Sequence, residues 1–558
     1  MHDLLIRRAQ VFDGTGSDPA ILDVTVTAGR ISAIGPNLGT DAREIIPADG
    51  LALMPGIIDS HTHFDAQITW DPAVRPSPAL GVTTAVIGNC GFTIAPCRPQ
   101  DRDITMRNLT QVEGMSLDVL RQGITWDFET FPEYLAQLRR KGSAVNIAAY
   151  VGHSSVRTYV MGADASRRAA TDTEIAQMQQ IVRDAMQAGA VGFASSTSPA
   201  HNGEGGRPMP SRLADEREMH ALVNAMGEGG RGVFMLTKGA ETPMPFLESL
   251  AAESGRPVMV AALLHNTTNP QAVFDDLDAI SDANTRGRRL IGQVSCCPLT
   301  MDFTMQSPYP AEGLASWQPA LGLQGDALKA KLGSKAFRDG VRAELATPSK
   351  FRLFNGEWAK VQVVEAATAA NARYEQRSID DIARSEGRDP LDVMLDLALA
   401  EDLRTVFTAQ LLNSDEAAVG RMLNHPHSLV SLSDAGAHLT FFNDAGFGLH
   451  LLGHWSRDRG AMPMGEAVRR LTSQPAGIFG LRDRGLVREG LAADLLLFDP
   501  RTVGRGPKRR VFDLPGGAPR LTTDALGVQG VWVNGQRVAD AKGLLEPAPR
   551  AGVLLADA

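Results

Sequence analysis

The sequence predicts an α/β fold: a (β/α)8 TIM barrel joined to a split β-sandwich domain built from both chain ends. Three observations carry this. Eight apolar, β-rich runs alternate with helical stretches through the middle of the chain. Short runs of period-two patterning, cut by turn residues, occupy both ends. Unusual polar side chains collect at the carboxyl ends of the eight runs, where a parallel barrel places its reactive groups.

The first fifty residues alternate β-type runs with turns, as in "DLLIRRAQVFDG", "ILDVTVTAGRISAIG" and "AREIIPADG". Their counterparts, "GLVREGLAADLLLFDP" and "VQGVWVNGQRVAD", lie near the other end and include an Asn-Gly hairpin turn at 534 and 535. Residues 1–55 and 485–548 are therefore expected to form one β-sandwich, interrupted by a barrel over 56–484. The barrel runs are "LMPGIIDSHTH", "GVTTAVIGNCG", "VNIAAYVGH", "AVGFASST", "GVFMLTK", "PVMVAALLH", "RLIGQVSCC" and "SLVSLSDAGAH". Between them, stretches such as 171–189 and 215–230 space apolar residues by three and four and end in Gly, the pattern of helices. Strand, helix, strand is the repeat of a parallel sheet. Residues 298–428 break that rhythm and are too long for one connection, so they read as an insertion over the barrel mouth. The tail, 549–558, reads as loosely ordered.

Composition narrows the function. Lys plus Arg number 55 against 64 Asp plus Glu, a formal charge of -9, with basic residues scattered except for "PKRR" at 507–510. That balance gives no electrostatic footprint for nucleic acid or acidic lipid, and a small-molecule substrate fits better. No apolar run approaches the roughly 18 residues that span a bilayer. The amino terminus turns charged after three apolar residues, so a cytoplasmic location is expected. Four cysteines are too few for a disulfide scaffold in 558 residues. A homo-oligomer remains compatible with everything above.

His61 and His63 close the first run, and residues at i and i+2 on a strand face one side, so both can reach one ion. Asp65 follows, and "SDAGAH" ends the eighth run with Asp434. Metal-assisted hydrolysis needs a base beside activated water, and Asp434 supplies a carboxylate at that point. Cys90 closes the second run, His153 the third, Lys238 the fifth and His265 the sixth.

These motifs resemble the amidohydrolase superfamily and, within it, the N-acyl-D-amino-acid deacylases. "PGIIDSHTHFD" is similar to that family's first-strand signature and "GVTTAVIGNCG" to its second-strand motif. "GH" at 152 and 153, "AGAVGFASST", "SDAG" and "LTSQPAGIFGLRDRGLVREGLAADLLLFDP" resemble further family segments. The resemblance spans nearly the whole chain and is weakest between 298 and 400. It implies a barrel with a split sandwich, zinc, and hydrolysis of an amide bond. By position it implies His61 and His63 as zinc ligands, Cys90 binding or bridging zinc as its thiolate, and Asp434 as general base and acid.

Departures from the family are as informative. Its fifth-strand zinc-binding His is missing, with Leu236 in "VFMLTKGAE" read at that position. The sixth strand reads "LLHN": His265 is either the ligand shifted by one or the neighbouring, non-ligand histidine. One zinc is therefore favoured over two. Lys238 reads either as an electrostatic or substrate-binding group or as a solvated strand-end lysine. His153 and His438 read as partners of the site or as structural histidines, and His201 as lining the pocket or bonding its own turn. The family's carboxylate-holding Lys, Tyr and Arg have no clear equivalents, while Met301, Phe303, Phe441, Phe442 and Phe447 point to a more apolar pocket. The expected activity is amide hydrolysis of an N-acyl amino acid or related acyl-amide. A cyclic amide or lactone, and a metal-poor barrel without catalysis, are the alternatives.

Overall fold

The computed structural model describes residues 1–347, 349 and 352–556. An eight-stranded parallel sheet organises the middle of the chain. Its strands are β1 (Ile57–Asp59), β2 (Val82–Ile87), β3 (Asn146–Gly152), β4 (Gly192–Ser196), β5 (Val233–Thr237), β6 (Val258–Leu263), β7 (Leu290–Val294) and β8 (Ser428–Val430). They pair in sequence order from β1 to β8. Every residue of β2, β3, β4 and β7 is buried, as expected of a parallel sheet covered on both faces. An isolated parallel bridge joins Thr62, beyond β1, to Ala435, beyond β8.

The helix Asp172–Ala188 shows how the sequence builds the outer layer. Thr171 and Glu174 form a reciprocal capping box at its start, and Gly189 ends it with φ 111°. Ile175, Met178, Val182, Ala185 and Met186 fall on one face and are buried.

A second, nine-stranded sheet draws on both chain ends. Ala52–Pro55 pairs with Leu495–Phe498 on one side and His2–Val11 on the other, placing early and late segments side by side. Leu4, Ile6, Val24, Leu53, Leu495, Leu497 and Trp532 fill its core. Residues 552–555 are held by backbone hydrogen bonds. Gly552 N donates to Ser143 O at 2.8 Å and Leu555 N to Ile147 O at 2.8 Å. A Cβ at Gly552 would lie 1.9 Å from Val145 O, so only glycine permits this approach.

The chain divides into two compact units. The first comprises Met1–Leu263, Asp276–Cys296 and the chain from Gly420 onward, and contains both sheets above. The second comprises Leu264–Asp275 and Cys297–Val419. It holds a three-stranded antiparallel sheet with Val406–Leu412 between Leu299–Phe303 and Val361–Glu365, along with helices such as Pro390–Ala400. Met301 and Phe303 belong to that sheet, and Phe303 stacks on Phe407 at 5.6 Å. Phe303 and Phe447 are both buried and pack the interior. Among the described residues no helix is long and apolar enough to cross a membrane.

Candidate metal centre

His61 and His63 extend from the end of β1, and their backbone is held from the opposite side by the Ser433–Gly436 loop. His63 N donates to Ala435 O at 2.7 Å, and Ser433 Oγ donates to His61 O at 3.1 Å. Gly436, with φ 96°, lets the loop press against β1: a Cβ there would sit 2.5 Å from His63 O. The loop therefore places Asp434 Oδ1 3.2 Å from His61 Nε2 and 3.7 Å from His63 Nε2.

Cys90 arrives through the turn after β2. Asn89 Nδ2 donates to Val86 O at 2.9 Å and to Thr62 O at 3.2 Å, clamping the turn. Gly91 passes so close to β4 that a Cβ would meet Ala194 O at 2.6 Å. Cys90 Sγ stands 3.6 Å from His61 Nε2 and 4.0 Å from His63 Nε2. One donor atom each from His61, His63 and Cys90 lies within 4.8 Å of the others, and all three side chains are buried. Cys90, Asp434 and His438 take left-handed backbone angles, with φ 58°, 47° and 53°. Such conformations cost on the order of 1–3 kcal/mol each and cluster at functional sites.

Partners behind the imidazoles turn their Nε2 atoms inward. His61 Nδ1 donates to Gln293 Oε1 at 2.9 Å, leaving Nε2 with its lone pair. Gln293 Nε2 in turn donates to Ser60 O at 3.4 Å, fixing the amide orientation. His63 Nδ1 lies 3.2 Å from Glu113 Oε1, a buried ion-pair contact that is not aligned as a hydrogen bond. Metal-binding histidines characteristically carry such outer partners.

Electrostatics match this arrangement. Burial pushes the Cys90 thiol up, but His61 and His63 outweigh it and bring the value down to about 7. Burial would likewise raise Asp434, yet the two imidazoles hold it well below the usual carboxylate range. Burial lowers the imidazoles, and their anionic neighbours more than restore them, Cys90 foremost at His61 and Glu113 foremost at His63. Burial pushes Asp59 and Asp65 up to about 7 each. Asp65 Oδ2 accepts from Gly88 N at 2.9 Å and so ties the first motif to the Cys90 turn.

The remaining sequence-predicted residues stand apart from the cluster or behind it. His153 is fully buried with both ring nitrogens engaged, Nδ1 at 2.8 Å from Ser195 Oγ and Nε2 at 2.7 Å from Glu218 Oε1. It is a structural histidine in this fold and presents no nitrogen to a substrate. Lys238 binds both carboxylate oxygens of Asp276 at 2.7 Å. Its charge is therefore already matched. His201 Nδ1 bonds Ser196 Oγ at 2.6 Å, beside Phe92, and burial depresses its pKa to about 3. His438 accompanies the Asp434 loop: its N–H donates to Glu113 O, and burial lowers its pKa. His265 belongs to the second unit, where its N–H donates to Asn413 Oδ1 at 2.7 Å.

Three contacts escape the sequence reading. Glu113 and Gln293 are the first two. The third corrects the fifth strand: Thr237, not Leu236, adjoins the thiol, with Oγ1 3.1 Å from Cys90 Sγ. Neighbours on a strand face opposite sides, and Leu236 points into the core.

The chain matches the amidohydrolase family over residues 44–539. It belongs to that family. The enzyme is thus a metal-dependent C–N hydrolase, and its similarity to deacylases of D-amino acids runs along nearly its entire length. It is 28% identical to a D-aminoacylase of Alcaligenes xylosoxydans xylosoxydans, covering 96% of this chain and 94% of that protein. It is also 28% identical to an N-acyl-D-aspartate deacylase of the same organism, covering 99% and 95%. Among solved structures it resembles an N-acyl-D-glutamate deacylase from Bordetella bronchiseptica, complexed with zinc and a phosphonate mimic of the tetrahedral intermediate. That match has a TM-score of 0.67 at 25% identity and covers 100% of this chain and 99% of that one. At these identities the enzyme is a divergent member of the group.

Proposed function

We propose that the enzyme is a zinc-dependent deacylase of N-acyl amino acids or closely related acyl-amides, with His61, His63 and Cys90 as its metal ligands. One observation carries this reading: two Nε2 lone pairs and a thiol tuned to about 7 converge beside the Asp434 carboxylate. Two imidazoles and a thiolate are a donor set zinc favours, and three protein ligands leave a position open. When bound there, zinc supplies Lewis-acid polarisation of a carbonyl and acidifies water at neutral pH. A single ion is the simpler assignment, since Thr237 stands beside Cys90 where the relatives' fifth strand is expected to offer a histidine.

Asp434 moves the proton. Its carboxylate, kept ionised by His61 and His63, accepts a proton from water as the water oxygen bonds to the acyl carbon. It then gives that proton to the leaving nitrogen as the C–N bond breaks, yielding a carboxylic acid and an amine, which exchange a proton to leave as carboxylate and ammonium. Glu113 and Gln293 keep the imidazoles oriented throughout. We also infer that the parallel sheet closes into a (β/α)8 barrel, supported by the Thr62–Ala435 bridge and by Ser60 Oγ at 2.8 Å from Ser431 Oγ. Residues 1–55 and 485–548 then form the attached sandwich.

The test is a panel of N-acyl D- and L-amino acids, aryl amides and cyclic amides offered to the zinc-loaded enzyme. Release of free amine from acyl amino acids supports the proposal, while turnover confined to ring opening refutes the deacylase reading. His265 is examined separately: its Ala variant keeps zinc if the three ligands suffice and loses it if His265 is a fourth.

A further inference from the structure

At the amino ends of the strands, opposite the metal centre, lies a cavity of about 570 Å³. Val233 at the start of β5, Arg256 ahead of β6 and Arg289 ahead of β7 form one side of it. Among the described residues five arginines line it, Arg231, Arg256, Arg289, Arg482 and Arg484, against one acid, Asp483. This concentration of positive charge sits in a chain whose formal charge is -9.

Asp483 is already committed. It pairs with Arg484 at 3.0 Å and reaches Arg30 at 4.0 Å, while Arg484 also pairs with Asp494. Among the described residues the Arg256 guanidinium donates only to neutral carbonyls, Gly232 O at 3.1 Å and Gly230 O. Burial, with Arg289 nearby, holds its guanidinium below the ordinary value. The side chains of Arg289 and Arg482 are exposed and make no hydrogen bond or ion pair among the described residues. The floor is open as well: a Cβ at Gly230 or Gly477 would meet nothing within 4 Å, so a ligand can approach the backbone there.

We propose that this cavity binds a small phosphate-bearing anion through Arg256, Arg289 and Arg482. Its volume falls within the roughly 300–1,000 Å³ typical of small-molecule pockets. Guanidinium forks match phosphate oxygens bidentately, and a phosphate dianion answers several such forks where one carboxylate answers one. β5 has five residues, so the cavity stands a strand length, roughly 16 Å, from the metal centre. Occupancy stabilises the fold without entering the chemistry.

Two probes distinguish the source of the phosphate: inorganic phosphate and adenosine 5′-monophosphate, each titrated into the zinc-loaded enzyme at constant ionic strength against sodium chloride. The expected result is saturable calorimetric binding with a rise in Tm, and a Kd weakened at least tenfold in an Arg289→Gln/Arg482→Gln variant that keeps wild-type activity. These two side chains bear no contacts the fold needs, so the variant folds. Binding of inorganic phosphate assigns a free-phosphate site, and binding of the nucleotide alone assigns a phosphate-ester site. Absence of saturable binding by both probes, or equal binding by the variant, overturns the proposal.

Discussion

Replacing Glu113 by Gln removes the charge behind His63 while keeping the side-chain volume. Glu113 and His63 are 3% and 6% exposed, and the contact is 3.2 Å. What reaches the metal is the basicity and orientation of Nε2. Outer partners of ligating histidines are worth roughly 10- to 100-fold in metal affinity, about 1.4–2.8 kcal/mol. The variant is therefore expected to bind zinc 10- to 100-fold more weakly in competition with a chromophoric chelator at neutral pH, with unchanged circular dichroism. An affinity equal to wild type would remove Glu113 from the centre and weaken the claim that His63 binds through Nε2.

Asp434→Asn is expected to retain zinc and lose about two to four decades of kcat, the usual worth of a general base; undiminished turnover would exclude its role in proton transfer. In metal-free enzyme, alkylation of Cys90 should rise with pH through a midpoint near 7, because the thiolate is the nucleophile, whereas burial holds Cys97 up at about 11 and keeps it inert at neutral pH. Peptide mapping after labelling distinguishes the two. Glu401 offers a stability test. Burial would raise its carboxyl, but bonds from Thr368, Ala367, Thr405 and Asn371 bring it from 4.5 down to about 2. Its folded value lies below the unfolded one, so its contribution is complete above pH 4.5 and fades as pH falls towards 2. Glu401→Gln should cost about 3 kcal/mol at neutral pH in denaturant melts and progressively less on acidification. A constant difference across that window would contradict the assignment.

The parts legible in the sequence are those that local pattern dictates. Apolar runs such as "NIAAYVG" announce buried parallel strands because every residue of them is buried. His61, His63, Cys90 and Asp434 stand out because each polar group ends an apolar run, where a barrel opens. What lies beyond reach is set by long-range packing. Gln293 meets His61 across 232 residues, and its only trace is a lone polar residue in "LIGQV". Glu113, after the helix Arg102–Val112, leaves no trace, because nothing local marks a carboxylate as buried. Leu236 and Thr237 illustrate register: a shift of one residue exchanges core for site, and an unaligned strand does not declare its phase. His153 shows the converse, since a strand-end histidine looks the same in sequence whether or not Glu218 and Ser195 occupy both its nitrogens.

The central claim is that His61, His63 and Cys90 hold zinc together. X-ray absorption at the zinc edge of the purified enzyme, compared with Cys90→Ala, tests it most directly. The account predicts close to one zinc per chain, with one sulfur at about 2.3 Å and nitrogens at about 2.0–2.1 Å, the sulfur shell vanishing in the variant. Zinc bound by nitrogen and oxygen alone, or a spectrum unchanged by the substitution, would contradict it.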